Sequence, residues 1–93
     1  MPFTNTLEAT LDFATVQTRI REAEETGCEL TALAAMTHGG RDFNLATFEE
    51  KIPNDGPYSE LRPASAPGPA GKQRILESDV FVNGSKVRVA VYR

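Results

Sequence analysis

Asn83-Gly84 lies between two runs in which apolar residues recur at alternate positions, "ILESDVFV" and "SKVRVAVY". A two-residue type I′ turn needs positive φ at both central residues, and Asn followed by Gly supplies that at least cost. The dipeptide in this setting predicts a tight β-hairpin. Counting outward from the turn sets the register. Val82 pairs with Ser85, Val80 with Val87, Ser78 with Val89 and Leu76 with Val91, which gives one apolar face. On the other face Phe81 stands opposite Lys86, Asp79 opposite Arg88, Glu77 opposite Ala90 and Ile75 opposite Tyr92. A slip of one residue would turn the valines into water.

The first half of the chain supplies more strands and one helix. Phe3, Asn5, Leu7, Ala9 and Leu11 alternate with threonines and Glu8, the pattern of a half-buried strand. Asp12 is placed to cap a helix, with Leu11 and Val16 as a hydrophobic staple. Phe13, Val16, Ile20 and Ala23 then form one helical face, and Gly27 ends a helix of about residues 13–26. In "CELTALAAM", Cys28, Leu30, Ala32, Ala34 and Met36 alternate, and the turn at Gly39-Gly40 precedes "RDFNLATF". Two strands over about 28–37 and 41–48 follow. The expected fold is α+β: an antiparallel sheet of four to five strands, order β-α-β-β-loop-β-β, with one helix packed on one face. The other face is left to solvent or a partner.

Ninety-three residues make a single small domain, 1–93. Five of the six prolines fall in residues 52–72, a Pro/Gly-rich loop too long to be an ordinary connection. Its "ASAPGPAG" part has the composition of a mobile tether. Its "NDGPYSELR" part offers Tyr58, Leu61 and Arg62 as anchors for a protein partner, since Tyr and Arg dominate interface hot spots. A passive crossover is the other reading of this loop.

Catalytic apparatus is missing from the pattern. His38 is the only histidine and Cys28 the only cysteine, which leaves no spacing for a zinc site and no internal disulfide. "HGG" at His38 resembles the oxyanion turn of esterases in that tripeptide alone, and the Gly-x-Ser-x-Gly elbow is absent. Cys28 alternates with core positions and reads as buried and inert. No phosphate-binding glycine loop or calcium-loop spacing occurs. No enzyme, cofactor or metal is expected. No apolar run approaches the ~20 residues of a membrane span, and the N-terminus does not have the form of a secretory signal. A cytoplasmic protein is expected.

Charge separates the functional readings. Residues 1–60 hold eleven Asp/Glu against four Lys/Arg, and residues 61–93 hold two against six, for a total of −3. In the acidic part, Glu22, Glu24, Glu25 and Glu29 could offer carboxylates to a protein that normally grips phosphates; otherwise they form a solvated helix face. In the basic part, Arg74, Phe81, Lys86, Arg88 and Tyr92 interleave aromatic and basic side chains on a hairpin, a pattern that suits single-stranded nucleic acid. The negative total, and Glu77 and Asp79 on the same face, oppose that alternative. The expectation is a non-catalytic inhibitor or adaptor of a larger protein assembly, including nucleic-acid-binding complexes. Small phage inhibitors such as anti-CRISPR proteins are analogous in size and charge alone. An open sheet edge would also allow a homodimer.

Overall fold

The structure, a computed structural model, describes residues 2–93. The chain runs β1 (Phe3–Glu8), α1 (Phe13–Glu25), β2 (Cys28–His38), β3 (Arg41–Glu50), β4 (Glu60–Pro63), β5 (Arg74–Val82) and β6 (Ser85–Tyr92). Asn83 and Gly84 form the β5–β6 turn with φ of 53° and 79°. The register is the one counted from the turn as far as Leu76 opposite Val91. Beyond it Ile75 is bulged out and exposed, so Arg74 rather than Ile75 pairs with Tyr92. The turn is also a docking point. The Asn83 amide donates to Leu11 O at 2.9 Å and the Gly84 amide to Ala9 O at 2.8 Å.

A Cβ at Gly84 would meet nothing within 4 Å, so a substitution there costs backbone strain and not a clash. Gly84→Val, β-branched at positive φ, is expected to lose at least ~1 kcal/mol. A thermal melt reads this as a drop of about 4–8 °C, and an unchanged melt would contradict the turn.

The fold is α+β with a single helix, as expected. The strands divide into two antiparallel three-stranded sheets, β1-β3-β2 and β4-β6-β5, in place of one sheet of four to five strands. The sixth strand, β4, lies inside the expected loop: Leu61 pairs with Val91 and Arg62 with Ala90. The division has a packing reason. A helix of thirteen residues is about 20 Å long and covers only part of a wide sheet. Turning the second sheet onto the first lets both inner faces share one core with α1. Leu7, Leu30, Leu33, Ala46 and Phe48 come from the first sheet. Leu61, Val80, Val89 and Val91 come from the second, and Val16 and Ile20 from the helix.

Local chemistry sets the ends of α1. Asp12 Oδ1 accepts from the Thr15 amide at 2.8 Å, and Gly27 follows the C-terminus with φ 106°. Hydrogen bonds from the Thr15 side chain and amide hold the Asp12 carboxyl below its ordinary pKa. The contribution of this cap is therefore complete above the unfolded carboxylate pKa and is lost as pH falls through the lower, folded value.

In β2 the expected single-faced alternation breaks at a β-bulge between Leu30 and Ala32. One extra residue inverts the alternation. Cys28, Leu30 and then Leu33 are buried, while Ala32, Ala34 and Met36 turn to the outer face.

The "ASAPGPAG" segment is not a free tether. The Ala64 amide donates to Arg88 O at 3.0 Å, and Gly68 lies so close to the Tyr92 ring that a Cβ would overlap it. The segment covers part of the second sheet's outer face.

Candidate protein-binding groove

The acidic residues of α1 and β2 divide between interior and surface. Ile20 and Glu24 share a helical stripe four residues apart, and Glu24 is 1% exposed. Its Oε1 accepts from the Ser59 amide at 2.7 Å. Its Oε2 accepts from the Leu30 amide at 3.0 Å and the Ser59 hydroxyl at 2.7 Å. Arg93 Nη2 stands 3.7 Å away and donates to Leu30 O and Ser59 Oγ. Glu24 is therefore a structural carboxylate joining helix, loop and C-terminus, and it presents nothing to a partner. Glu29 is half-buried between Arg93 at 3.6 Å and Lys51 at 3.9 Å. Glu22 and Glu25 remain exposed.

The loop anchors are similarly committed. Leu61 is 1% exposed and belongs to the core. Tyr58 is half-buried beneath the Arg21 guanidinium, 4.9 Å from its ring centre. Arg62 donates from Nε to Glu60 at 2.8 Å. Only Tyr58 and Arg62 keep surface for contact.

On the hairpin the basic and aromatic side chains are brought together, but largely with one another. Phe81 and Tyr92 are each 6% exposed, so neither offers a ring face to a base. Arg74 donates to the Tyr92 hydroxyl at 2.8 Å and to Glu77 at 2.7 Å. Arg88 donates to Glu77 at 2.9 Å and approaches Asp79 at 3.4 Å. These partners, Tyr92 foremost for Arg74 and Glu77 foremost for Arg88, raise both guanidinium pKa values. Lys86 lies over the Phe81 ring at 5.6 Å.

A groove of about 400 Å³ opens at the other end of the first sheet, lined by Phe3, Thr26, Gly27, Cys28, Glu50, Lys51, Ile52 and Asn54. Phe3, 43% exposed, stacks on buried Phe48 with ring centres 5.3 Å apart. Ile52 is 82% exposed. Its loop is nonetheless held in place. The Lys51 amide donates to Gly27 O at 2.8 Å, Lys51 Nζ to Gly56 O at 2.7 Å, and Asn54 Nδ2 to Glu25 O at 2.9 Å. Glu50 lines the groove, and the bond from Asn54 to Glu25 brings the exposed end of α1 beside it. Cys28 is buried, and burial raises its thiol pKa. The thiol donates to Ala23 O at 2.9 Å, which suits a packing residue and not a nucleophile.

Phe3, Glu50 and Ile52 were not among the residues singled out from the sequence for partner binding. The available signal was Ile52 itself, a β-branched apolar residue between Lys51 and Pro53 with no periodic neighbour to explain it. Among the described residues no group of three or more His, Cys, Asp or Glu side chains is placed to hold a metal ion. No described helix is long and apolar enough to cross a membrane. No protein-family model, curated protein or solved structure matches the chain.

Proposed function

We propose that the protein acts by binding another protein at the Phe3–Ile52 groove, as an inhibitor or adaptor of a larger assembly, without catalysing a reaction. The observation that carries this reading is Ile52, 82% exposed on a loop fixed by three hydrogen bonds. A single exposed aliphatic residue is common on protein surfaces. One held rigid, beside a second exposed apolar side chain and above a groove, is a prepaid contact: little conformational entropy remains to be lost on binding.

The surrounding charge selects the partner. Glu50 and the exposed Glu25 favour a segment carrying basic residues around an apolar anchor. The Lys51 ammonium is turned away onto Gly56 O and Glu29. Binding through this end also accords with a hairpin whose arginines are already neutralised by Glu77 and Asp79.

Baits carrying Ile52→Asp and Arg88→Ala, compared with the unmodified chain in extracts of the producing cells, test the reading. Ile52→Asp is expected to weaken capture of the partner by at least ~2 kcal/mol, about thirtyfold, with an unchanged melt. Arg88→Ala is expected to retain it. Capture that survives Ile52→Asp but fails in Arg88→Ala, or that is lost on nuclease treatment, would move the function to the hairpin and nucleic acid.

A further inference from the structure

We infer that the outer face of the β1-β3-β2 sheet is the contact surface for a second copy of this chain, packed face to face across a two-fold axis. The inner face is taken by Asn44, Ala46 and Phe48, so alternation sends Arg41, Phe43, Leu45, Thr47 and Glu49 of β3 outward. The β2 bulge sends Ala32, Ala34 and Met36 to the same side. The three central rows of this face carry one charged residue, Glu8 at the β1 edge opposite Phe43, which the two-fold lays over Thr4 of the other copy. Met36 is 38% exposed.

The register makes the face complementary to itself. Thr6, Leu45 and Ala34 lie in one row across the three strands. A two-fold axis along that row lays Leu45 on Leu45. It lays the row with the large side chains Phe43 and Met36 on the row with the small ones, Thr47 and Ala32, in both directions. It also carries Arg41 of one copy over Glu49 of the other, twice, within reach of long side chains across sheets about 10 Å apart. A hollow of about 240 Å³ between Thr6, His38, Arg41 and Phe43 lies where Glu49 of the second copy arrives. This row order, which pairs large with small and positive with negative across the two-fold, favours a second copy as the mate. Isologous contacts of this kind close on themselves as a dimer.

Each outward residue covers about 30 Å² of sheet, so the contact lies below the size of stable specific interfaces and a weak, transient dimer with a Kd of roughly 100 µM is expected. Sedimentation equilibrium of the full chain from about 1 µM to about 1 mM measures it. Leu45→Lys is expected to raise Kd at least about thirtyfold. Arg41→Glu and Glu49→Arg are each expected to raise it at least about fivefold at low salt, and the double exchange to return it to within about twofold of the original. Recovery in the double variant is the signature of this pairing, and misfolding of Leu45→Lys would not affect it. A monomer throughout the range, or single charge variants that dimerise normally, would overturn the inference. It is independent of the Ile52 groove, and Ile52→Asp is expected to dimerise normally.

Discussion

Glu24→Ala is expected to cost about 3–5 kcal/mol, the range for removing one partner of a buried ion pair. The substitution leaves the Leu30 and Ser59 amides and the Ser59 hydroxyl without an acceptor. It also takes one of two carboxylates from the Arg93 guanidinium, only 17% exposed, leaving Glu29 at 3.6 Å. Arg93 Nε already lacks a partner, and Glu29, on the Nη1 side of the guanidinium, is already shared with Lys51. A domain of this size loses about 4–8 °C for each kcal/mol, and the thermal midpoint should fall by at least about 12 °C. Glu24→Gln keeps the shape and one acceptor but turns donors toward donors, so an intermediate loss is expected. A midpoint within a few degrees of the original in Glu24→Ala would show that the cluster is dispensable.

The second large effect belongs to Asn44. Its side chain, fully buried, accepts from the Phe81 amide at 2.7 Å and donates to Phe81 O at 2.8 Å. A carboxamide on the central strand of the first sheet thereby completes the backbone bonding of β5 in the second, as a neighbouring strand would. Asn44→Ala leaves one buried N–H and one buried C=O unpaired, at about 1–3 kcal/mol each. A loss of about 2–6 kcal/mol in denaturant unfolding is expected. Asn44→Leu should not recover it, because filling the volume does nothing for the two polar groups. Full recovery in Asn44→Leu would mean that Asn44 acts by packing alone.

Local signals carried most of the fold. The Asn83-Gly84 turn and the valine alternation determine their register within a few residues, so the hairpin could be counted out almost to its end. Asp12 and Gly27 bracket α1 for the same reason. What escaped depends on distant parts of the chain. β4 is only four residues, "ELRP", and becomes a strand because Val91 and Ala90 offer it an edge. The bulge in β2 is silent in "LTALAAM" because apolar residues occupy both parities, so either face satisfies the pattern. Glu24 lay at the right spacing from Ile20 to be buried, but its neighbours Glu22 and Glu25 made it read as solvated. Its acceptors' partners, Ser59 and Arg93, come from segments 35 and 69 residues further on. The groove was least legible of all, since Phe3 and Ile52 are brought together by chain reversal, and neither belongs to a periodic run near the other.

Site-specific photo-crosslinking in the producing cells tests binding through the groove most directly, with a photoreactive side chain placed at position 52 or, as the comparison, at Val87. Val87 is 39% exposed and lies on the hairpin, so both positions are open to solvent while only one borders the groove. Binding at the groove predicts a discrete protein adduct from position 52, diminished by excess unmodified protein and not by Ile52→Asp, with no such adduct from position 87. A specific adduct from position 87 with none from position 52 would contradict it.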